Sequence, residues 1–160
     1  MRDGRPLSPK LVEFFESGVS VLVATRDAQL RPVCARAMGA SVRRDGRVVT
    51  IFIPNPVASR TVENVRDNGA IAVTFVRPLT HEGVQIKGTC TSIRESDEDA
   101  RELQERYRAA YAEQLRAVGI PRQVTSRLVC WPSVAIDLEV RDVFVQTPGP
   151  GAGRRLESDA

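Results

Sequence analysis

Ser59 and Arg60 combine residue types and a spacing that favour binding of a phosphate group. They follow a β-branched run and the turn Pro54-Asn-Pro56, and the residues after them have helical spacing up to Gly69. We predict that Ser59 caps this helix, because serine side chains accept hydrogen bonds from the free amides of a first helical turn. Those amides, the helix dipole and the Arg60 guanidinium would form an anion cradle. An ordinary capped helix with a surface arginine has the same pattern, so the residues alone leave both interpretations open.

The thiols and the histidine do not form a recognisable catalytic or metal centre. Cys34, Cys90 and Cys130 are far apart and contain no Cys-x-x-Cys pair. This spacing favours free thiols in a reducing compartment over a zinc site or a disulfide framework. His81 is the only histidine, which argues against a multi-histidine metal site, although one histidine can ligate haem. We predict no metal site and assign no catalytic acid or base.

The glycine-rich tail is not predicted to be a dinucleotide-binding loop. Such a loop must open a helix, but only seven residues follow Gly153 in "QTPGPGAGRRLESDA". Residues 148–160 are therefore predicted to be either an arm that lies on its own or a partner subunit, or a disordered tail.

The elements that would position these residues are mostly strands. A helix is predicted from Pro9, capped by Ser8, to the residue before Gly18, and another from the cap Asp97 to Val118. Strands are predicted over residues 19–25, 33–42, 47–53, 70–77, 83–93 and 134–147. Six strands joined by short turns favour a mainly β domain, residues 1–147, whose antiparallel sheet curls into a barrel with peripheral helices.

Two of these strands carry further information. In residues 83–93 the apolar or small side chains alternate with polar ones, and Gln85 and Lys87 lie on the polar side. One face therefore suits a barrel interior, while the other is a polar strip that a core would not accommodate. In the last strand the apolar alternation changes phase at Arg141-Asp142, which predicts a β-bulge there.

Composition excludes two classes of partner. The 160 residues have a formal charge of +3, and their arginines are scattered among acids rather than gathered into a basic stripe, so no nucleic-acid partner is predicted. No apolar run is long enough to span a bilayer. The N-terminus "MRDGRPLSPK" lacks the apolar segment of a secretory signal, and a cytoplasmic location is expected.

The order of three segments resembles a known family. The succession "VSVLVATRDAQLRPVCARAMG", "RVVTIFIPNPVASRTVENVRDNGAIAVTF" and "VQIKGTCTSI" is similar to the pyridoxamine 5′-phosphate oxidase-like, FMN-binding split-barrel family. The resemblance implies a six-stranded antiparallel split β-barrel that forms a homodimer, with FMN in grooves between the subunits. It also implies that the polar strip of residues 83–93 is the cofactor and dimer face.

The resemblance also assigns candidate cofactor-binding residues. The Ser-Arg-Lys segment that holds the phosphate in this family matches Ser59, Arg60 and Thr61, with threonine in place of lysine. The strand that lines the flavin matches Arg36, Ala37 and Met38, of which Arg36 is a second phosphate or ring partner. The turn beside the flavin matches Ile53 and Pro54, and the polar side chain that reaches the ring or ribityl chain matches Gln85.

The implied function is that of an FMN-dependent oxidoreductase acting on an unidentified small molecule or electron donor. The C-terminal segment that grips the substrate in true pyridoxamine phosphate oxidases contains a histidine, and this chain has none after His81. We therefore do not expect vitamin B6 oxidase activity. The alternatives on the same fold are a non-enzymatic flavin- or haem-binding or sensor protein, an F420-dependent reductase, and a barrel that has lost its cofactor.

Overall fold

Seven strands and four helices make up the part of the chain that the computed structural model describes, residues 6–156. The strands are β1 Ser20–Arg26, β2 Pro32–Ala37, β3 Ala40–Val42, β4 Val48–Pro54, β5 Ala70–Val76, β6 Gly83–Glu95 and β7 Ser133–Val145. The helices are α1 Pro9–Glu16, α2 Asn55–Asn68, α3 Glu98–Ala117 and α4 Arg122–Thr125. Residues 1–5 and 157–160, which belong to the predicted domain and tail, lie outside the described residues.

One antiparallel sheet contains all seven strands, in the order β2-β1-β5-β6-β7-β4-β3. This arrangement confirms the predicted mainly β, antiparallel fold with peripheral helices. The strand count and closure differ from the prediction, because the sheet has seven strands and its hydrogen-bonded ladder ends at β2 and β3 instead of closing.

The extra strand arises because the predicted strand over residues 33–42 is interrupted at Met38 and Gly39. Gly39 has a φ of 150°, a conformation that favours glycine. Its carbonyl accepts a hydrogen bond from the Phe52 N–H (3.1 Å), and the Met38 N–H donates to the Phe52 carbonyl (2.8 Å). The chain therefore leaves the edge of β1 and joins the edge of β4, so that two short strands replace one long strand.

The core lies inside the curled sheet. Along β1 the side chains of Val21 and Val23 are buried, whereas Leu22 between them is 37% exposed. Helix α1 adds Phe15, whose ring stacks on Phe75 of β5 with a centroid separation of 4.0 Å. The opposite surface of β1, β2, β5 and β6, which we call the outer face, is not part of this core.

The predicted bulge in the last strand is confirmed. Lys87 is opposite Asp142 and Gly88 is opposite Val140, which leaves Arg141 without a partner in the β6–β7 ladder. The extra residue returns Val143 to the interior, where it is buried like Val140. A Cβ atom at Gly88 would overlap the Glu139 carbonyl oxygen, so the close approach at the bulge requires glycine.

The helix after the third predicted strand begins earlier than expected, and the prediction that Ser59 caps it is wrong. Helix α2 starts at Asn55 with Pro54 as its N-cap, and no side chain caps it. Proline fits the first helical turn because its φ is already helical and no N–H is needed there. Pro56 therefore lies inside the helix instead of ending the turn before it. The predicted end is confirmed, because Gly69 takes the left-handed conformation at φ 69°.

The described part of the tail folds back on its own chain. Gly153 donates to the Val145 carbonyl and Leu156 to the Val143 carbonyl, each at 2.8 Å. Within residues 6–156, no helix is both long enough and apolar enough to cross a membrane.

Candidate functional site

A lateral row of side chains crosses the outer face at one level of the sheet. Directly opposed residues of antiparallel strands point to the same face. The register places Arg36 opposite Leu22, Leu22 opposite Thr74, Thr74 opposite Gln85 and Gln85 opposite Phe144. We call these five residues the outer row. Arg36 is exposed and Gln85 half-buried, so both predicted site residues face outward across a shared surface.

The neighbouring row consists mostly of short side chains and gives this surface a weak positive charge. Two residues further along the strands, Cys34, Ala24, Ala72, Lys87 and Asp142 are opposite one another. The alanines leave a shallow floor between Arg36 and Lys87. The one carboxylate, that of Asp142, forms an ion pair with Arg155. The charge of Arg36 is therefore not neutralised by an acid in either row.

Arg36 is held in one orientation by two uncharged acceptors. Its Nη1 donates to the Ser20 hydroxyl and to the Tyr111 hydroxyl, each at 2.9 Å. The guanidinium carbon also lies 5.9 Å from the centroid of the Tyr111 ring, within cation–π range. The Nε and Nη2 donors form no hydrogen bond with the described residues. That edge of the guanidinium is the one that binds a phosphate or carboxylate in a bidentate manner.

Gln85 supplies a polar group whose orientation is also fixed. Its Nε2 donates to the Thr74 hydroxyl of the adjacent strand at 3.0 Å. The side-chain carbonyl accepts no hydrogen bond from the described residues. Beside it, the Lys87 ammonium lies 4.9 Å from the centroid of the Phe144 ring. Gln85 therefore presents an acceptor to a ligand on the outer face.

The predicted flavin-lining residues meet at one corner, but their side chains are buried. The Met38–Phe52 hydrogen bond brings the end of β2 beside the end of β4. Ala37, Met38 and Ile53 are 2%, 3% and 0% exposed, and Pro54 is buried. At this corner only backbone groups are in a position to contact a ligand on the surface.

The predicted phosphate-binding segment lies in the second turn of α2, where two of its residues are exposed and one is buried. Ser59 and Arg60 are exposed, whereas Thr61 is fully buried and its hydroxyl has no hydrogen-bond partner in the described part of the chain. The Arg60 guanidinium forms no ion pair or hydrogen bond within residues 6–156. Arg60 and Ser59 are therefore the members of this segment that a surface anion can reach.

The first turn of α2 offers fewer amides than the sequence predicted. The Asn55 N–H donates to the Pro132 carbonyl at 2.9 Å, and Pro56 has no N–H. The N-cap residue Pro54 has no N–H either, so three of the four positions whose amides are normally free at a helix start are unavailable. An anion at this corner would depend on the arginine side chains more than on the helix terminus.

Sequence reasoning missed Ser20 and Tyr111 as parts of the site. The periodic spacing of α3 predicts Tyr111 only as a packing residue, and it is indeed 5% exposed. Its contact with Arg36 joins residues 75 positions apart in the chain. No local pattern signals such a contact.

Comparison with known proteins agrees with this architecture. A family model described as pyridoxamine 5′-phosphate oxidase matches residues 7–129, more than half of the chain. The chain belongs to the pyridoxamine 5′-phosphate oxidase family. No curated protein matches its sequence. Membership in the pyridoxamine 5′-phosphate oxidase family establishes the ancestry and fold of the chain and leaves its specific activity open.

Solved structures similar to this family member share its fold at low sequence identity. HupZ of Group A Streptococcus has a TM-score of 0.56 at 19% identity, covering 92% of this chain and 100% of that one. An F420 reductase has a TM-score of 0.53 at 16% identity, covering 85% and 98%. An FMN-binding protein from Syntrophomonas wolfei subsp. wolfei has a TM-score of 0.51 at 12% identity, covering 88% of each chain. At these identities the similarity shows the fold alone.

The outer face fits the phosphate and polar groups of a flavin nucleotide. Arg36 offers an oriented, uncompensated cationic edge, and Gln85 offers an acceptor at the same level of the sheet. Three strand spacings separate β2 from β6 in the sheet order, a span of about 14 Å. Arg60 adds a second exposed cation on α2. The donor set thus suits an anionic, extended, partly aromatic ligand.

Proposed function

We propose that this protein is a homodimeric, FMN-dependent oxidoreductase of the cytoplasm that acts on a small molecule. The observation that carries the proposal is the way in which Arg36 is hydrogen-bonded and left without an ion pair in the described residues. Neutral partners hold its guanidinium in place, no carboxylate within residues 6–156 pairs with it, and its bidentate edge is directed away from both partners. Other surface arginines, by contrast, pair with acids, as Arg31 does with Asp27 at 2.7 Å.

Each candidate residue has a role that follows from its position. Arg36 and Arg60 neutralise the cofactor phosphate, and Ser59 adds a hydroxyl beside Arg60. The Gln85 carbonyl accepts a hydrogen bond from the cofactor, while backbone groups near Ala37 and Ile53 line its edge. When bound, FMN supplies the hydride and electron chemistry, and the protein supplies position and electrostatics. No side chain of this site is assigned as an acid or base.

The outer face also supports a homodimer. Leu22 is 37% exposed between Arg36 and Thr74 in the outer row, and Ala24 is exposed in the next row. A second copy packed on this face would bury these side chains and turn a shallow surface into a groove with two walls. Closed symmetric dimers are the most common assemblies of soluble proteins.

A second candidate is an F420-dependent reductase, which the structural similarity to an F420 reductase favours. Arg36 and Arg60 would serve the phosphate of either cofactor. A non-enzymatic flavin carrier or sensor is compatible with the same residues, since no acid or base is assigned. A haem protein has less support, because His81 lies in the exposed turn between β5 and β6 with a φ of 57°.

The absorption spectrum of the purified protein, followed by titration with FMN, tests the proposal. We expect flavin absorption that is retained through desalting, or saturable FMN binding by the apoprotein. Anaerobic stopped-flow mixing with NADH or NADPH should then bleach the flavin band, whereas a carrier would bind FMN without being reduced. A Soret band, or binding of F420 but not FMN, would overturn the FMN assignment.

A further inference from the structure

We propose that Tyr111 of α3 is a positioning residue, which holds the Arg36 guanidinium in the orientation that receives the phosphate of the cofactor. The inference rests on the proposed function, in which Arg36 is the phosphate ligand. It adds a role for α3, a helix between β6 and β7 that contributes none of the other site residues.

The contact geometry determines which part of Arg36 is available. Both protons of Nη1 are used, one by the Ser20 hydroxyl and one by the Tyr111 hydroxyl. Fixing Nη1 at two points fixes the plane of the whole guanidinium, because its nitrogen atoms are coplanar. The acceptors carry no charge, so orientation is gained while the attraction for an anion is kept.

Tyr111 holds a fixed position because α3 is anchored to the segment that leads into β1. The Tyr107 hydroxyl lies 3.1 Å from the carbonyl oxygens of both Phe15 and Val19. Gln114 Nε2 donates to the Gly18 carbonyl at 3.0 Å. These contacts flank Tyr111 on the helix, one turn before it and one turn after it. The acceptor on α3 and the acceptor Ser20 therefore belong to one rigid unit.

Close packing between Gly18 and α3 also holds this helix against the start of β1. A Cβ atom on Gly18 would overlap the Cβ of Ala110, the residue before Tyr111. The absence of a side chain at Gly18 allows the α3 backbone to approach the start of β1. The Tyr111 ring is 5% exposed and packs with Met38 and Cys130. The Tyr111 hydroxyl thus contacts Arg36 from a side chain whose ring is buried and closely packed.

A held arginine binds an anion better than a free one. An unrestrained arginine side chain loses rotamer freedom when it binds a ligand, and this loss opposes binding. In the present arrangement Ser20 and Tyr111 have already ordered the guanidinium. Removal of one acceptor should therefore weaken cofactor binding even though the removed atom never touches the cofactor.

The variant Tyr111→Phe tests this role, with Tyr107→Phe as the matched control. Both changes delete a hydroxyl from α3 and keep the ring. We expect Tyr111→Phe to raise the FMN dissociation constant about fivefold, the effect of one modest hydrogen bond, with little change in melting temperature. We expect Tyr107→Phe to lower the melting temperature and, because it loosens the anchor of α3 without removing a partner of Arg36, to weaken FMN binding less than Tyr111→Phe does. Equal FMN affinity for Tyr111→Phe and the wild-type protein would overturn the inference.

A double-mutant cycle separates positioning from general packing. In an Arg36→Ala background the hydroxyl of Tyr111 has no guanidinium to orient, so Tyr111→Phe should cause no further loss of FMN affinity. A loss as large as in the wild-type background would show that Tyr111 acts through the fold and not through Arg36.

A measurement without cofactor separates this inference from the proposed function. Nitrogen-15 NMR of the Arg36 guanidinium reports its rotation directly. We expect slow rotation about the Cζ–Nη1 bond in the wild-type protein and faster rotation in Tyr111→Phe. If the wild-type protein binds neither FMN nor F420, the proposed function fails, but slow rotation lost in Tyr111→Phe would still support positioning. Fast rotation in the wild-type protein would overturn it.

Discussion

Arg36 and Gln85 lie at the same level of the sheet, three strand spacings apart, and both point away from the core. The pairs Arg36–Leu22, Leu22–Thr74 and Thr74–Gln85 establish this relationship through the backbone register. A cationic edge and a fixed amide carbonyl therefore face the same side, with Leu22 and Thr74 between them. This arrangement places the candidate site on the outer face of the curled sheet, where a second subunit can cover it.

Replacing Arg60 by alanine should weaken FMN binding without changing the fold. Arg60 is exposed on α2 and has no partner among the described residues, so its loss removes charge and leaves packing intact. We expect a loss of about 1.5–3 kcal/mol, the contribution of a charged hydrogen bond, in an FMN titration. Arg66→Ala is the control, because Arg66 is exposed on the same helix and is not a candidate ligand. Equal affinity of the two variants would refute the role of Arg60.

A charge at Leu22 should prevent dimer formation. Leu22 is 37% exposed between Arg36 and Thr74 in the outer row, so Leu22→Glu would place a carboxylate in the proposed interface. Light scattering after gel filtration should report a dimer for the wild-type protein and a monomer for the variant. Leu79→Glu, at a 60% exposed leucine in the turn between β5 and β6, should remain dimeric. A monomeric wild-type protein would contradict the assembly.

Substitution of Gly88 by alanine should be strongly destabilising. The added Cβ would collide with the Glu139 carbonyl oxygen and the Leu138 side chain, neither of which can move without disturbing β7. We expect the free energy of unfolding to fall by about 1–3 kcal/mol, measured by chemical denaturation. Gly151→Ala is the control, because nothing lies within 4 Å of its new Cβ. A variant at Gly88 as stable as this control would show that the bulge is looser than described.

Asp27 should make the stability of the protein depend on pH under acidic conditions. The backbone N–H of Arg31 is the main cause of its lowered pKa, and the Arg31 side chain and the Gln29 N–H act in the same direction. A pKa lowered on folding stabilises the folded state above the unfolded-state pKa, and this contribution is lost as the pH falls through the folded-state pKa.

The variant Asp27→Asn should therefore be less stable than the wild-type protein at neutral pH. The difference should shrink as the pH falls below about 4, the usual range of an aspartate pKa. Thermal unfolding across this range measures the effect. Glu95→Gln, at an exposed carboxylate without an ion pair in the described residues, is the control. A constant difference between Asp27→Asn and the wild-type protein at every pH would contradict the assignment.

Local chemistry made much of the fold predictable. Gly69 ends α2, Asp97 caps α3, and the phase change at Arg141 produces the bulge. Each feature depends on a few adjacent residues. The start of α2 was mispredicted because Pro54 and Pro56 suit a first helical turn as well as a strand end, and the sequence favours neither. The break at Gly39 depends on hydrogen bonds to Phe52, which lies in another strand.

The candidate site was less predictable because its parts come from different elements. The polar side of β6 indicated that Gln85 faces outward, and the structure places it in the outer row. The Arg36 side chain is held by Ser20 and Tyr111. The apolar periodicity of α3 predicts which residues pack on the sheet, but it does not show that the Tyr111 hydroxyl contacts a strand from the other half of the chain. Thr61 is buried because it lies on the packed face of α2 with Ala58, Asn64 and Val65, at helical spacings of three and four.

The affinity of Arg36→Ala for FMN, compared with that of the wild-type protein, tests the central claim most directly. Quenching of flavin fluorescence during titration gives both the stoichiometry and the dissociation constant. We predict one FMN per wild-type chain and at least about tenfold weaker binding by the variant, since a charged hydrogen bond is lost. No saturable binding by the wild-type protein, or equal binding by both proteins, would contradict the assignment of the outer face as a flavin site.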